Sequence, residues 1–459
     1  MADRLMVGVS GVRGTVGGTL TPRIACDFGC AFGTMLTRRT GGRARVVLGR
    51  DSRTSGPAVR SAVTAGLLAC GVDVVDLGIV TTPGTALMVR QLQADGGVVI
   101  TASHNPAEYN GIKFLQPTGT GLTAVDAAAL KGLWEAGEFA LTGTDAQGAE
   151  SANGETHERH VAAVCEKIDV PAVAQRHFRV VVDSVNGAGC EVTPILLKRL
   201  GAELFHLNAE PTGRFAHKPE PVEENLGELC EAVRKHEAAV GFAQDADADR
   251  IAIVDENGTF IGEEYTLALA AAYVLRHRKG KLATNLATSR MVDDIATEAG
   301  CEVVRAPTGE ANVVEAMDRA GCIFGGEGGG GVIEPSVVPV RNSLVAIAYV
   351  LAYLAETGET VSRLVERIPR YVMKKTKMPC PAGAAEPVTN ATRAVFAGRE
   401  GATLNDADGL RVDLPEGWLC VRASNTEPIL RIIAEAPDAE RTDALVDEVR
   451  RIAEPHLSE

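Results

Sequence analysis

AVGFAQDADADRIAIV, residues 239–254, carries a strand–loop–strand pattern from which the fold class follows. A β-rich run at 239–243 breaks into Asp245-Ala-Asp-Ala-Asp-Arg250 and resumes at once as a second apolar run at 251–254. Upstream stand two further runs, 179–183 and 202–207, separated by helix-length stretches, which gives β-α-β-α-β. The same succession occurs twice more, at 44–48, 72–77 and 97–101, and at 281–285, 302–306 and 322–324. Each third run opens into an unusual loop: Thr101-Ala-Ser-His-Asn-Pro106, then the aspartate segment, then Gly325-Gly-Glu-Gly-Gly-Gly-Gly331. Three such copies predict three related α/β domains, and ligands gather beyond the carboxyl ends of strands in such sheets. After about residue 371 the pattern changes to β-rich runs at 409–414, 418–423 and 429–435 and a charged amphipathic helix near 440–453, a small α+β domain. The segments 142–154 and 378–387 have linker composition.

The chain has 459 residues, enough for three or four compact units. With 45% apolar and 23% charged residues it is neither disordered nor fibrous. Its formal charge of −14 repels polyanions, and aromatics at 4% supply no base-stacking surface, so nucleic acid is excluded as the main partner. The longest apolar run, 344–355, is too short to cross a bilayer, and no secretory signal opens the chain, so membrane partners are excluded and a cytoplasmic location is expected. Ten cysteines without a CxxC pair read as reduced thiols.

Asp245, Asp247 and Asp249 alternate, so on an extended segment all three carboxylates project to one face, where they repel unless a cation lies between them. Oxygen-only ligation favours Mg²⁺. An EF-hand is rejected because Arg250 occupies the position that needs glycine. Ser103 lies on a loop fixed by Pro106, with no GxSxG elbow, and His104 is expected to point the opposite way, so a hydrolase triad is not supported. Gly326, Gly328 and Gly331 make a formal GxGxxG, but Pro335 and Pro339 deny it a helix, so dinucleotide binding fails. Glu327 remains as a partner for ligand hydroxyls. Arg422, Ser424, Asn425, Thr426 and Arg431 supply two cations and neutral donors around a turn, suited to a phosphate dianion. Arg13, Arg50, Arg53 and Lys113 add cations beside the other loops, which suggests a small anionic ligand.

Over essentially its whole length the sequence resembles the α-D-phosphohexomutases, nearest to the phosphoglucosamine mutase-like branch. TASHNP resembles the phosphoserine loop, DADADR the Mg²⁺ loop, GGEGGGG the sugar-binding loop and RASNTEP the phosphate-binding loop. VSGVRG, residues 9–14, resembles the segment that contributes an active-site arginine, Arg13, and NGIK supplies the family's lysine, Lys113.

The resemblance implies an α/β fold: three similar domains with mixed sheets in tandem (1–154, 155–258, 259–371) plus a C-terminal α+β domain (372–459), around a central cleft. It implies an isomerase that interconverts hexose 6- and 1-phosphates through phosphoserine 103 and a hexose 1,6-bisphosphate. Ser103, Asp245, Asp247 and Asp249 would hold Mg²⁺; Arg13, Lys113, Arg250 and His104 would act in phosphoryl transfer. Glu327 and Gly329, with the Arg422 loop, would bind substrate. Glucosamine phosphate is the first expectation for the sugar, mannose or glucose phosphate the second, and a monomer or homodimer is expected. A phosphatase using the same serine and a non-catalytic sugar-phosphate sensor are the competing readings. Many members carry serine and histidine where this chain has Gly329 and Gly331, an Arg-Asp pair where it has Arg341-Asn342, and Val-Gly-Asp or Val-Gly-His where it has Thr308-Gly-Glu310. Neither of the last two departures is expected to touch the phosphoryl chemistry.

Overall fold

The computed structural model describes residues 4–381, 383–424 and 428–457. The repeat read from the sequence is present as a repeat of topology. In the first copy the strands Ala44–Arg50, Val72–Ile79, Gly96–Ile100 and Tyr109–Leu115 lie in the order second, first, third, fourth. In the second copy Arg179–Asp183, Glu203–Leu207, Val240–Gln244 and Ile251–Val254 take the same order, and in the third so do Leu282–Asn285, Val303–Ala306, Phe324–Glu327 and Gly331–Glu334. The first three strands of each copy are parallel and the fourth returns antiparallel. Each sheet is therefore mixed, and each functional loop is the turn between the last parallel strand and its antiparallel return. This places three loops at corresponding corners of three sheets.

The third copy departs from the expected strand limits. The glycine run is not a loop following a strand that ends at 324, because Phe324–Glu327 continues through it and pairs with Gly331–Glu334, Glu327 opposite Gly331. Glycines carry no side-chain alternation, so the period-2 signal of a strand is silent there.

One apolar core runs through all three α/β units. It joins Val47 and Leu87 of the first, Val180 and Phe242 of the second, and Leu267 and Leu344 of the third, with Val161 from the connecting helix Thr156–Cys165 between them. The opposite face of each sheet has a core of its own. The apolar run at 344–355 belongs to the helix Ser343–Thr357, buried on all sides from Ser343 to Leu354, as a helix that is hydrophobic all round must be. Among the described residues no helix is long and apolar enough to cross a membrane.

The C-terminal domain is an antiparallel sheet of five strands with the helices Ala385–Phe396 and Ala439–Leu457 over it. Its first strand, Val372–Pro379, gave no signal in the sequence because it is an edge strand, paired among the described residues with Ile429–Ala436 alone, with none of its residues buried and with lysines on it. The segment 378–387 thus lies inside this domain, not between domains. The segment 142–154 likewise contains an edge strand, Glu150–Ala152, added to the first sheet beside Val72–Ile79.

Candidate active site

Ser103 is buried, at a φ of +49°, and its Oγ donates to Asp245 Oδ2 at 2.7 Å. The positive φ corrects one expectation. His104 does not face away, because its Nδ1 lies 3.4 Å from Ser103 Oγ. Alternation holds for extended backbone, and this backbone is turned. Arg53 holds the turn: its guanidinium donates to the carbonyls of Ser103 (2.7 Å), Asn105 (2.6 Å), Pro106 (2.7 Å) and Tyr109 (3.0 Å), and its Nε to Asp51 Oδ2 (3.1 Å). Asp51 in turn accepts from Thr101 Oγ1, which accepts from the Ser103 N–H. Arg53 is buried and committed to backbone, so it does not serve as the ligand cation expected of it. Arg50 also turns away, donating to the Asp51 carbonyl.

The three aspartates converge, with ligand atoms within 4.8 Å of one another. They do so on a tight loop rather than an extended segment: Ala248 has φ +52°, and residues 245–250 lie outside any strand. Three consecutive carbonyls of this loop are each held by the start of a different helix. Ala246 O accepts from Ala188 N, Asp247 O from Thr82 N, and Ala248 O from Ser343 N and Oγ, the last at 2.7 Å. The helices are Gly189–Arg199, Thr82–Gln91 and Ser343–Thr357, one from each α/β unit, and their positive ends favour the acidic loop.

Lys113 donates to Asp247 Oδ2 at 2.7 Å and approaches Asp249 Oδ2 at 3.4 Å. Burial pulls its ammonium down, but Asp247 and Asp249 outweigh burial and hold it above the usual lysine value. Burial raises the Asp249 carboxyl, yet Arg341, Lys113 and Arg250 together hold it well below the carboxylate range. Burial, then Asp247 and Asp249, push Asp245 up. Asp247 Oδ1 and Asp249 Oδ1 are buried without any hydrogen-bond partner. Orphaned carboxylate oxygens beside a third carboxylate and a serine oxygen are a hard-cation donor set, and the residues fit a divalent metal.

His104 Nδ1 accepts from Arg250 NH1 at 3.1 Å, and burial, followed by Arg250 and Arg13, holds the imidazole down to about 3. Arg13 lies beside this loop, donating to Asn105 Oδ1 at 2.6 Å.

The glycine hairpin packs directly on the aspartate loop, with Ile251 N donating to Gly330 O. Gly330 has φ +83°, and a Cβ there would meet Ile251 O at 2.3 Å. Glu327 Oε1 accepts from Asn285 Nδ2 (2.8 Å) and Gly309 N (3.1 Å), and its Oε2 from Arg341 NH1 (2.6 Å). Arg341 also donates to Asp249 Oδ2 at 2.9 Å and pairs with Glu310 at 3.1 Å. Of the two departures noted in the sequence, Glu310 reaches the aspartate cluster only through Arg341, and Asn342 faces His160 rather than the aspartates. A Cβ on Gly331 would lie 2.2 Å from Arg341 Cδ, so the arginine stem fills the space that a side chain at 331 would need. Gly329, by contrast, faces open space.

The chain of contacts reaches the C-terminal domain. Thr308 N donates to Asp408 Oδ2 at 3.0 Å, and the same oxygen pairs with Arg422 Nε at 3.2 Å. Arg422 stands opposite Arg431 in the ladder, two cations as cross-strand neighbours. Ser424 follows Arg422 at the strand end, while Asn425 and Thr426 lie outside the described residues. Bonded residues thus link Ser103 to Arg422 through all four domains. Arg341, Glu310 and Asp408 were not among the expected site residues, although Arg341 and Glu310 stand in the two segments compared with family motifs and Asp408 lies in an Asp-Ala-Asp-Gly turn.

Models of the phosphoglucomutase/phosphomannomutase α/β/α domains I, II and III match residues 4–140, 158–258 and 262–371, and that of the C-terminal domain residues 376–452. A phosphoglucomutase/phosphomannomutase of Thermococcus kodakarensis is 40% identical over 95% of each chain. A probable phosphoglucosamine mutase of Methanopyrus kandleri is 38% identical over 97% of this chain and 98% of its own. A crystal structure of a phosphoglucomutase/phosphomannomutase family protein from Burkholderia thailandensis superposes with a TM-score of 0.86 at 28% identity over 98% of both chains. Domain models in unbroken order, relatives matched over nearly their full length, and a serine bonded to an aspartate trio place this chain in the phosphoglucomutase/phosphomannomutase family, the α-D-phosphohexomutase isomerases.

Proposed function

We propose that this phosphohexomutase carries a phosphoryl group on Ser103 and exchanges it between the 6- and 1-positions of glucosamine phosphate, through a hexose 1,6-bisphosphate. The observation that carries the reading is the 2.7 Å contact of Ser103 Oγ with Asp245, in a cluster where Asp247 and Asp249 each keep an oxygen without a hydrogen bond, that of Asp249 lying 3.7 Å from Arg250 Nε. Asp245, Asp247, Asp249 and the Ser103 oxygen would hold Mg²⁺, which when bound neutralises charge on the phosphoryl oxygens. Lys113, kept charged, and Arg13 and Arg250 direct N–H donors at the same oxygens. When Arg250 turns to the phosphoryl group it releases His104 Nδ1. As the sugar hydroxyl forms its O–P bond and the O–P bond to serine breaks, one proton leaves the hydroxyl and one reaches Ser103 Oγ; Lys113 and His104, whose Nδ1 lies 3.4 Å from Ser103 Oγ, are the candidates to accept the first and supply the second. Glu327 orients the sugar hydroxyls. Arg422, Ser424, Asn425, Thr426 and Arg431 hold the phosphate that does not react, whichever end that is.

Two features favour glucosamine over glucose or mannose. The sugar end of the cleft gathers the carboxylates of Glu310 and Glu327 around Arg341, a setting for an ammonium substituent, and the hairpin beside them carries no side chain at Gly329. Among the relatives, the probable phosphoglucosamine mutase of Methanopyrus kandleri agrees with this reading, and the phosphoglucomutase/phosphomannomutase of Thermococcus kodakarensis with glucose or mannose. The test is a parallel assay of glucosamine, glucose and mannose 1-phosphates with a bisphosphate primer. The highest kcat/KM is expected for glucosamine phosphate, and preference for another sugar would reassign the substrate. Ser103→Ala should abolish interconversion. Release of inorganic phosphate at the rate of substrate loss would make the protein a phosphatase instead.

A further inference from the structure

His160 belongs to no motif. It sits on the helix Thr156–Cys165 that connects the first two α/β units, and it is 1% exposed. Its Nε2 lies 2.9 Å from Asn342 Nδ2 and 3.2 Å from Asn342 Oδ1. Asn342 Oδ1 already caps the helix Ser343–Thr357 by accepting from Leu344 N and Val345 N. The amide nitrogen is therefore the group facing the imidazole, and Nε2 accepts. Nδ1 then carries the hydrogen and faces Thr81 Oγ1 at 3.5 Å, the oxygen that caps the helix Thr82–Gln91 through Gly84 N. One neutral imidazole thus touches the N-cap residues of two helices from two different domains.

The residues that follow those two caps are the ones that grip the aspartate loop. Thr82 donates its N–H to Asp247 O at 3.0 Å and its hydroxyl to Asp247 Oδ2 at 2.6 Å. Ser343 Oγ donates to Ala248 O at 2.7 Å and accepts from Gln244 Nε2 at 2.8 Å. Displacing either cap by a fraction of an ångström moves the carbonyls on which the strained Ala248 turn rests, and with them the direction of the two orphaned carboxylate oxygens.

We infer that His160 is a positioning residue for metal binding: through Asn342 and Thr81 it fixes the spacing of two helix N-termini that aim Asp247 and Asp249. The inference rests on the reading of the aspartate trio as a divalent-metal site. Partners outside the ligand sphere that orient metal ligands are worth about 10–100-fold in affinity, and His160, acting at one remove, belongs at the lower end, about tenfold. It also accounts for Asn342. An amide offers one acceptor to its own helix and one donor to a neutral ring, whereas a carboxylate there would demand a hydrogen on Nε2.

The test is Mn²⁺ binding followed by electron paramagnetic resonance, without sugar, on the full chain and its variants. His160→Leu is expected to weaken Mn²⁺ about tenfold, and His160→Gln, whose side-chain oxygen can accept from Asn342, to restore most of it. Equal affinity in all three proteins, or equal weakening in both variants, overturns the proposal. Failure of the unsubstituted protein to bind Mn²⁺ would overturn the metal-site reading itself, a distinguishable result. Nitrogen-15 NMR of the unsubstituted protein supplies a check independent of folding of any variant. His160 is expected as the neutral tautomer with hydrogen on Nδ1, and hydrogen on Nε2 overturns the proposal.

Discussion

Replacing Arg53 with methionine removes a buried cation from two duties at once. Asp51, which is fully buried, loses its ion-pair partner, and removing one member of a buried pair costs about 3–5 kcal/mol. The carbonyls of Ser103, Asn105, Pro106 and Tyr109 lose a charged donor, and each that stays unsatisfied costs about 1–3 kcal/mol. With even half of them rehydrated, the sum exceeds about 5 kcal/mol, comparable to the whole stability of a domain. Arg53→Lys keeps a charge for Asp51 but not the planar fork, and should recover the first cost and little of the second. Hydrogen exchange across residues 96–115 reads the local effect.

The pH dependence has a definite sign. Burial already pushes the Asp51 carboxyl up, with Arg53 pulling it back. Without Arg53 the folded state holds the Asp51 proton more tightly than the unfolded chain does. Stability is then lost as pH rises from the ordinary carboxylate range through the raised folded value, so the penalty at neutral pH exceeds that near about pH 5. A methionine variant within about 1 kcal/mol of the unsubstituted protein, or a lysine variant equal to it, would refute the reasoning.

Neighbouring glycines of the hairpin should respond oppositely to serine. Gly329→Ser meets open space and should leave the melting temperature unchanged, while Gly328→Ser drives a Cβ to 1.8 Å from Glu264 Oε2 and should cost about 1–3 kcal/mol in thermal unfolding. Burial, then Arg250 and Arg13, holds the His104 imidazole down to about 3, so in the resting protein it is expected to be neutral near neutral pH. Its NMR resonances should not titrate between about pH 5 and 8, and a pKa in the normal histidine range would show the Arg250 contact to be wrong. Arg341→Met leaves Asp249, Glu310 and Glu327 without their shared cation. Its melting temperature should fall, and added divalent ions should raise it more than they raise that of the unsubstituted protein; equal responses would count against the shared-cation picture.

The three β-α-β-α-β copies, the C-terminal α+β domain and the loops that carry Ser103, the aspartates, Glu327 and Arg422 were legible in the linear chain. These are local features: strand alternation, turn residues and charge spacing are written within a few positions of one another. Where no alternation exists, as in the glycine run and the lysine-bearing edge strand Val372–Pro379, the reading fell short by a strand or its limits. The rest depends on contacts that exist only in the folded molecule. An arginine that grips four carbonyls, one that fills the gap over Gly331, and a histidine that joins two helix caps look like any other arginine or histidine in a linear chain. Arg53 and His160 act on partners from about fifty to nearly two hundred positions away, Arg341 reaches back 92 positions to Asp249, and burial is what gives those contacts their energy. Even the facing of Ser103 and His104 belongs to this second group, because the left-handed turn that aims them is held by Arg53 across the sheet.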